Sequence, residues 1–388
     1  MVRMSPSGAI DRSTMNRTHV WLVLLLVAVM PACGAREIGV EAAPPAVPSA
    51  TLDAAGATEP VTAASTLAIP TPTTQQWLHP YTLEGLRERK FAAGRLESME
   101  ETLKSDIFTR YAITYRSEGL LISGTMQIPS EGKPPFPVIV MNHGYFNRTE
   151  YHSGDGTDRA AEYFNRHGYL TLSSDYRSWG ASDIGPSLYY SGLVIDVVNL
   201  MMAAGSIPQA DADRIGIWGH SMGGGVTMKV LILETPVKAA VLYSTVSADD
   251  ADILARWGLG CIGDIDAGEN QLGCNSSDVI PLDLPPGLIK AYYESSLDAA
   301  SLETTSPIYN LDRVTVPVQI HYGMDDGKDM GGTPPEWSRK LFEALEASGK
   351  PAEIFAYEGQ QHSFVGDSWV AFMERCGHFY DKYVKYAQ

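Results

Sequence analysis

The sequence predicts an α/β protein with a mostly parallel central sheet, helices on both faces of that sheet and a cap-like insertion. Short apolar segments typical of buried strands alternate with longer segments whose apolar residues recur at helical spacing. One connection late in this alternation is about 70 residues long, far longer than the usual link between a strand and a helix. Because connections of that length are commonly functional, we expect this one to cover a site.

The composition excludes several classes of protein. The chain has 388 residues, of which 44% are hydrophobic and 19% charged, as is usual for a globular protein. Its 29 Lys and Arg against 46 Asp and Glu leave a net charge of −17, which repels phosphate backbones and argues against nucleic-acid binding. The sequence has no Cys-x-x-Cys pair and no cluster with metal-ligand spacing, so we expect no metal and no cofactor.

Residues 1–33 are predicted to be a signal peptide for export. The apolar run 20–30 follows Arg17 and is shorter than the roughly 18 residues that a membrane-spanning helix needs. Met15 stands directly before Asn16-Arg17 and is an alternative start of translation, which would place residues 1–14 upstream of the protein.

The end of this segment raises the question of a lipid anchor. Ala32-Cys33 resembles the end of a bacterial lipoprotein signal, in which the cysteine is lipidated, and ordinary cleavage near Ala32 or Ala35 is the alternative. Residues 34–76 consist mainly of Ala, Pro, Thr and Val and are predicted to be a disordered linker. We therefore expect a cell-surface lipoprotein, or a secreted or periplasmic protein, whose catalytic domain spans 77–388.

The elements of this domain follow from apolar spacing. A short helical prefix is predicted over 83–103, and two segments around Ser117-Glu118-Gly119 predict an antiparallel hairpin over 110–128. Six further strands are predicted at 138–141, 170–173, 215–218, 239–243, 316–322 and 352–357. Helices are predicted between them at 159–167, 193–203, 222–233 and 336–347.

The long connection contains the insertion at about 248–306. Cys261 and Cys274 lie within it, and export favours a disulfide between them, which would contribute about 3 kcal/mol by closing the loop. Two reduced thiols are the alternative. Cys376 lies on the apolar stripe of the last helix and is predicted to be a buried core residue.

The nucleophile is predicted from Gly219-His220-Ser221-Met222-Gly223, which has the pattern G-x-S-x-G between a predicted strand and a predicted helix. A serine at such a sharp turn is exposed to substrate, and the glycines let strand and helix approach each other closely. The start of the helix also favours the negative charge that develops during acyl transfer. Ser221 is therefore the candidate nucleophile.

A serine nucleophile needs a histidine as base and an acid to orient it. Two histidines follow the candidate acids: His362 in a loop after a strand, and His378 on the polar side of the last helix. His362 is the predicted base. Two aspartates follow the strand at 316–322, and the position of Asp326 favours it over Asp325.

The tetrahedral intermediate needs N–H groups aimed at its oxyanion. The backbone of Met222, next to the nucleophile, is one predicted donor. The other is the backbone of Tyr145, in the loop Asn142-His143-Gly144-Tyr145 that follows an early strand. His143 is interpreted as a packing residue rather than as a second base.

These motifs together resemble the α/β-hydrolases, specifically the branch related to prolyl oligopeptidases (S9) and dienelactone hydrolases. The resemblance covers about residue 105 to the C-terminus. Its motifs are Asn142-His143-Gly144-Tyr145, Asp175-Tyr176-Arg177-Ser178-Trp179-Gly180, Gly219-His220-Ser221-Met222-Gly223-Gly224, Ser306-Pro307-Ile308-Tyr309 and the loops of Asp326 and His362. It implies a Ser221-Asp326-His362 triad, with Met222 and Tyr145 as oxyanion donors.

The expected function is cleavage of carboxylic esters through an acyl-enzyme. Peptidases of this family carry a large N-terminal β-propeller that filters peptides, and a short prefix replaces it here. A serine peptidase acting on short peptides is the main alternative, and an inactive binding scaffold is a third. From position, Trp179 and the insertion are expected to shape the substrate pocket.

Overall fold

The computed structural model describes residues 72–91, 94–263 and 274–386. The strands of this part are β1 (Leu96–Lys104), β2 (Phe108–Ser117), β3 (Leu120–Pro129), β4 (Phe136–Asn142), β5 (Leu170–Ser174), β6 (Ala210–His220), β7 (Val237–Tyr243), β8 (Gly260–Ile262), β9 (Asn275–Ile280), β10 (Val318–Gly323) and β11 (Ala352–Tyr357). The predicted signal peptide, the site at Cys33 and nearly all of the predicted linker lie outside the described residues.

The α-helices of the same part alternate with the later strands. They are α1 (Thr74–Leu78), α2 (Leu83–Arg87), α3 (Asp158–Arg166), α4 (Ser191–Ala203), α5 (Met222–Ile232), α6 (Asp250–Trp257), α7 (Pro286–Ser296), α8 (Ala299–Glu303), α9 (Pro335–Ala347) and α10 (Gly366–Tyr380).

In the described part of the chain, nine strands form the central sheet, in the order β1-β2-β3-β5-β4-β6-β7-β10-β11. From β5 to β11 the neighbours in this order run parallel, whereas β1, β2 and β3 pair antiparallel and β3 pairs antiparallel with β5. The parallel strands are joined through helices, as parallel pairing requires. The mostly parallel sheet and the hairpin at Ser117-Glu118-Gly119 are confirmed.

Alternating side chains of the parallel strands build a core on each face of the sheet. Val138 and Val140 of β4 belong to a cluster that includes apolar residues of α4 and α5. Ile139 and Met141, which alternate with them, belong to a second cluster with apolar residues of α3 and α10. The segment Leu188–Ser206, which contains α4, is apolar and long enough to cross a membrane, but 83% of its most apolar window is buried inside the domain.

The helical prefix predicted over 83–103 is wrong in its second half. Helix α2 ends at Arg87, and Leu96–Lys104 is instead strand β1, which pairs antiparallel with β2 through contacts such as Met99 with Ile113. Apart from Leu96, the β1 side chains are exposed, so no buried face set their spacing. The backbone hydrogen bonds offered by the free edge of β2 decided this conformation.

The insertion after β7 forms a smaller layer beside the main sheet. It contains α6, the two-stranded sheet β8–β9, α7 and α8. Its apolar residues Ile280, Leu288 and Tyr292 pack with Leu78 of α1 and with Tyr189 before α4. The sulfur atoms of Cys261 and Cys274 are joined as a disulfide within the insertion.

Candidate active site

Ser221 lies between β6 and α5 with a backbone conformation of φ 56° and ψ −121°, a strained region for a side chain of this kind. The neighbouring glycines make this turn possible. A Cβ atom on Gly219 would lie 2.2 Å from the carbonyl oxygen of Gly223, and one on Gly223 would lie 2.1 Å from that of Asn142. Larger residues would therefore push the strand, the helix and the β4 loop apart.

Asp326 and His362 are brought together from the loops that follow β10 and β11. The Nδ1 atom of His362 lies 2.9 Å from Oδ2 and 3.1 Å from Oδ1 of Asp326. Asp326 is buried, whereas a quarter of the His362 side chain is exposed. Since Nδ1 faces the carboxylate, Nε2 is the ring nitrogen left for a serine or a substrate.

Asp326 is held by donors besides His362. Its Oδ1 accepts hydrogen bonds from the N–H groups of Gly327 (2.7 Å) and Thr333 (3.0 Å), and the Thr333 hydroxyl lies 2.8 Å from Oδ2. Burial acts to raise the pKa of Asp326, but the hydrogen bonds and the charge of His362, with Thr333 and Gly327, hold it below the ordinary value. Asp326 is therefore held in its ionised form next to the imidazole of His362.

Thr333 was not recognised from the sequence. It lies seven residues after Asp326, in a loop whose sequence has no pattern that assigns this role. Its hydroxyl also lies 2.9 Å from the carbonyl oxygen of Ser244, just after β7. Thr333 therefore links the acid loop to the carboxyl end of β7 in the central sheet.

His220 is a second residue whose role emerged only from the structure. Its Nε2 lies 3.0 Å from the carbonyl oxygen of His362, and its ring stacks on Tyr243 with centroids 4.3 Å apart. Burial, and to a smaller extent the charge of the nearby His362, lowers the pKa of His220 to about 3. The neutral imidazole can therefore donate from Nε2 to the His362 carbonyl and steady the loop of the base.

The loop predicted to supply an oxyanion donor lies against the nucleophile. A Cβ atom on Gly144 would lie 3.1 Å from Cβ of Ser221. Tyr145 and Met222 line the same cavity as Ser221, and Met222 is the first residue of α5. The structure thus places both predicted donors beside Ser221, at a cavity that the start of α5 also faces, and a helix start favours negative charge.

His143 and Trp179 lie behind this loop. The His143 ring is buried between Tyr151 and Tyr176, with centroid distances of 4.6 and 4.3 Å, which agrees with a packing role. Burial lowers the pKa of His143. Trp179 is only 1% exposed, and its Nε1–H donates to the carbonyl of Phe146 at 2.9 Å.

The prediction that Trp179 shapes the substrate pocket therefore needs correction. The backbone after β5 turns through positive φ at Tyr176 (61°) and Ser178 (71°), and the indole that follows is buried beneath the β4 loop. Trp179 supports that loop from behind instead of contacting the cavity.

A cavity of about 610 Å³ opens at Ser221. Tyr145, Met222 and Val246 line it on the side of the central sheet. Tyr190, directly before α4, also lines it. The insertion and the acid loop supply the remaining wall, which comprises Arg256, Trp257, Gly258, Cys274, Asn275, Ser276, Ser277, Met330 and Gly331. The volume is in the range of small-molecule sites.

The alternatives raised by the sequence lie elsewhere. The Asp325 side chain is partly exposed, and its Oδ1 lies 2.8 Å from Nζ of Lys328. His378 is exposed on α10, whereas Cys376 on the same helix is buried. Within the described ranges, no three His, Cys, Asp or Glu side chains are grouped as they would be around a metal ion.

Solved structures with this architecture cover most of the chain. An acylaminoacyl peptidase from Pyrococcus horikoshii matches 74% of this chain and 43% of its own, with 20% identity and a TM-score of 0.54. Acetyl xylan esterase 1 from a Thermoanaerobacterium species matches 80% of this chain and 100% of its own, with 16% identity and a TM-score of 0.54. This chain has the α/β-hydrolase fold. The resemblance seen in the sequence is thereby confirmed at the level of the fold.

Sequence relatives of this chain match a shorter part of it. The family model described as serine aminopeptidase, S33, matches residues 133–265, which include the turn at Ser221. An uncharacterised 31.7 kDa protein from the traX-finO intergenic region of Escherichia coli is 29% identical over 143 residues, 36% of this chain. The match spans 46% of that relative, less than half of its length.

Proposed function

We propose that this chain is a serine hydrolase that cleaves carboxylic esters through an acyl-enzyme intermediate. One observation carries the proposal: Ser221 stands on a strained turn at a cavity of small-molecule size, and at the same end of the sheet the buried Asp326 is hydrogen-bonded to the partly exposed His362. The peptidase and the esterase with a similar fold are consistent with this class of chemistry.

The proposed mechanism uses only side chains and backbone groups of this chain. The Nε2 atom of His362 removes the proton from Oγ of Ser221 as that oxygen attacks the ester carbonyl. The backbone N–H groups of Met222 and Tyr145 stabilise the oxyanion, while Asp326 stabilises the imidazolium. His362 then protonates the departing alkoxide, the ester C–O bond breaks, and the acyl group remains on Ser221.

Water completes the cycle. His362 takes a proton from a water molecule as its oxygen attacks the acyl carbon, and a second tetrahedral intermediate forms at the same N–H groups. When this intermediate collapses, His362 returns the proton to Oγ of Ser221. The carboxylic acid leaves, and the serine is regenerated.

The cavity wall favours esters over peptides with a free amino terminus. An aminopeptidase needs a carboxylate that pairs with the ammonium of its substrate. The described residues that line the cavity include no Asp or Glu, and their one charged side chain is the cation of Arg256. A peptidase acting on short peptides stays the second candidate because the triad and the fold are compatible with both reactions.

We further propose that the protein is exported and tethered through a lipid on Cys33. The supporting sequence features are the charged and apolar segments before Cys33 and the Ala-, Pro- and Thr-rich residues 34–76. The pairing of Cys261 with Cys274 agrees with an oxidising compartment.

The test compares the full chain with its Ser221→Ala variant on two sets of chromogenic substrates. One set consists of p-nitrophenyl esters of short and medium acyl length, and the other of aminoacyl and dipeptidyl p-nitroanilides. We expect turnover of the esters, abolished in the variant, together with labelling of Ser221 by a fluorophosphonate. Comparable kcat/KM on anilides would favour the peptidase, and neither turnover nor labelling would contradict the mechanism.

A further inference from the structure

Arg256 gives the cavity at Ser221 an electrostatic character that the triad does not explain. It lies in the last turn of α6, inside the insertion, and it is the one charged side chain among the described residues that line the cavity. The chain as a whole has a net charge of −17. The proposed hydrolysis at Ser221 does not require this positive charge, so its position in the wall of the cavity needs another explanation.

The guanidinium of Arg256 is held by neutral groups. Its Nη2 donates to the backbone carbonyls of Gly327 (3.1 Å) and Asp329, in the acid loop. The rings of Trp257 and Trp337 flank it, with centroids 5.7 and 5.9 Å from Cζ. Its Nε is buried and has no hydrogen-bond partner among the residues described.

No carboxylate compensates this charge in the described part of the chain. The ion pairs found there do not include Arg256, and the Asp329 carboxylate instead accepts from the N–H groups of Gly331 and Gly332. A partly buried guanidinium next to two indole rings is weakly hydrated and well suited to a planar carboxylate. An anionic group of the ligand would supply the charge that the described residues do not.

We infer that Arg256 is a specificity-determining residue and that the preferred substrate is an ester carrying a second, ionised carboxylate. This inference rests on the proposed ester hydrolysis at Ser221. The carboxylate pairs with the guanidinium while the ester carbonyl is held at the nucleophile. Asn275 and Ser277, on the β9 side of the same cavity, provide further polar surface for the bound substrate.

The carboxylate can belong to either half of the ester, and two substrate pairs distinguish the halves. For the acyl half, the p-nitrophenyl monoester of suberic acid is compared with the same compound whose free carboxyl is methylated. For the alcohol half, p-acetoxybenzoate is compared with its methyl ester. Within each pair the scissile bond is of the same kind, and comparing the ratio between wild type and variant cancels any difference in intrinsic reactivity between the two members. The quantity measured is the ratio of kcat/KM for the anionic to the neutral member.

We expect one of these ratios to exceed 1 in the full chain and to fall about 10- to 100-fold in Arg256→Gln, as the loss of a hydrogen-bonded ion pair implies. Arg256→Lys should keep part of the preference because the charge remains. The matched control is Arg339→Gln, which removes an exposed arginine on α9 that does not line the cavity. Its ratio should equal that of the wild type.

A charge reversal separates recognition from support of the acid loop. In Arg256→Glu, a p-nitrophenyl ester with a terminal trimethylammonium group should become the preferred substrate over the anionic ester. Loss of the carbonyl contacts to Gly327 and Asp329 would lower the rates on all esters without inverting this order. Equal loss on anionic, neutral and cationic esters would overturn the inference and leave Arg256 a positioning residue.

Binding without turnover distinguishes this inference from the proposed function. Monomethyl suberate and dimethyl suberate are titrated calorimetrically into Ser221→Ala and into Ser221→Ala combined with Arg256→Gln. Tighter binding of the monoacid, lost in the double variant, supports the carboxylate site even if ester hydrolysis fails. Hydrolysis of neutral esters with no preference for the anion in either assay would refute the carboxylate site alone.

Discussion

Two adjacent aspartates follow strand β10, and their side chains lie in different surroundings. Asp326 is buried against His362, whereas Asp325 is partly exposed beside Lys328. An asparagine at position 326 would present an N–H where His362 needs an acceptor for its own Nδ1–H, so the imidazole would adopt the wrong tautomer. We expect Asp326→Asn to lower kcat on p-nitrophenyl esters about 10³- to 10⁴-fold.

The matched control is Asp325→Asn, which changes the same charge one residue away. We expect its kcat to stay within about twofold of the wild type, because surface ion pairs contribute little. A large loss in Asp325→Asn with an active Asp326→Asn would mean that the acid has been assigned to the wrong residue.

Thr333 tests whether the hydrogen bonds around the acid matter for catalysis. Thr333→Val removes the hydroxyl 2.8 Å from Asp326 Oδ2 and keeps the backbone donor to Oδ1. A hydrogen bond to a charged group contributes on the order of 1.5–3 kcal/mol, so kcat should fall about 10-fold or more. Thr333→Ser, which restores the hydroxyl, should recover most of the rate. If Thr333→Val keeps its activity and Thr333→Ser loses it, the methyl group and not the hydroxyl positions the acid.

At the scale of elements, the disulfide joins Cys261 in β8 to Cys274, which lies directly before β9 and lines the cavity. Closing a loop of this length stabilises the fold by about 3 kcal/mol in the chain-entropy model. We expect the double variant Cys261→Ser, Cys274→Ser to lose a free energy of unfolding of that order in urea. Reductant should destabilise the wild type similarly and leave the double variant unaffected. Equal stability of the two proteins would contradict the pairing of these cysteines.

Strand β9 carries a buried carboxyl group that makes the stability depend on pH. Asp278 accepts hydrogen bonds from the backbone of Tyr189 and Tyr190 and from the hydroxyl of Tyr292. Burial raises its pKa from 3.8 to about 7, and these hydrogen bonds offset only part of that effect. Between these two values the folded state retains a proton that the unfolded state has lost.

The sign of the pH dependence follows from this difference. Because the folded state binds more protons, its stability falls as the pH rises from about 4 through 7, by up to about 4 kcal/mol for this group. Asp278→Asn cannot ionise, so its stability relative to the wild type should increase over the same interval. Urea unfolding at several pH values measures this difference. The exposed Asp283→Asn is the control, and a relative stability of Asp278→Asn that does not change with pH would refute the raised pKa.

At the scale of the whole molecule, export and tethering lead to a prediction about residues outside the described structure. If Cys33 is lipidated, cells given radiolabelled palmitate should label the protein and retain it in the membrane fraction. Cys33→Ser should abolish both results and leave an exported, soluble protein. The control is Cys376→Ala, which changes a buried core cysteine and should leave labelling intact. Unchanged labelling in Cys33→Ser would contradict the lipid anchor.

Charge also acts at this scale. The net charge of −17 is spread over a protein whose cavity at Ser221 is lined by a cation, Arg256. The overall field repels anions, whereas the local guanidinium attracts them at short range. Salt screens the long-range repulsion more than the partly buried contact with Arg256. Added salt should therefore increase the ratio of kcat/KM for the anionic to the neutral ester.

Local sequence patterns were sufficient to predict the alternation of strands and helices and the turn at Ser221. These features depend on residues close together in the chain: apolar spacing sets the buried face of an element, and a tight turn needs small residues on both sides of the serine. The same locality placed Asp326 and His362 directly after predicted strands, where the structure brings their side chains together.

Features that depend on distant parts of the chain could not be predicted from the sequence and are seen only in the folded structure. Strand β1 formed because β2 offered a free edge, and Trp179 turned beneath the β4 loop instead of into the cavity. Thr333 reached Asp326 from a loop without a recognisable pattern, and Arg256 reached the cavity from the insertion. Such contacts join residues far apart in sequence or in irregular loops, so no local periodicity encodes them and only packing of the whole chain sets their geometry.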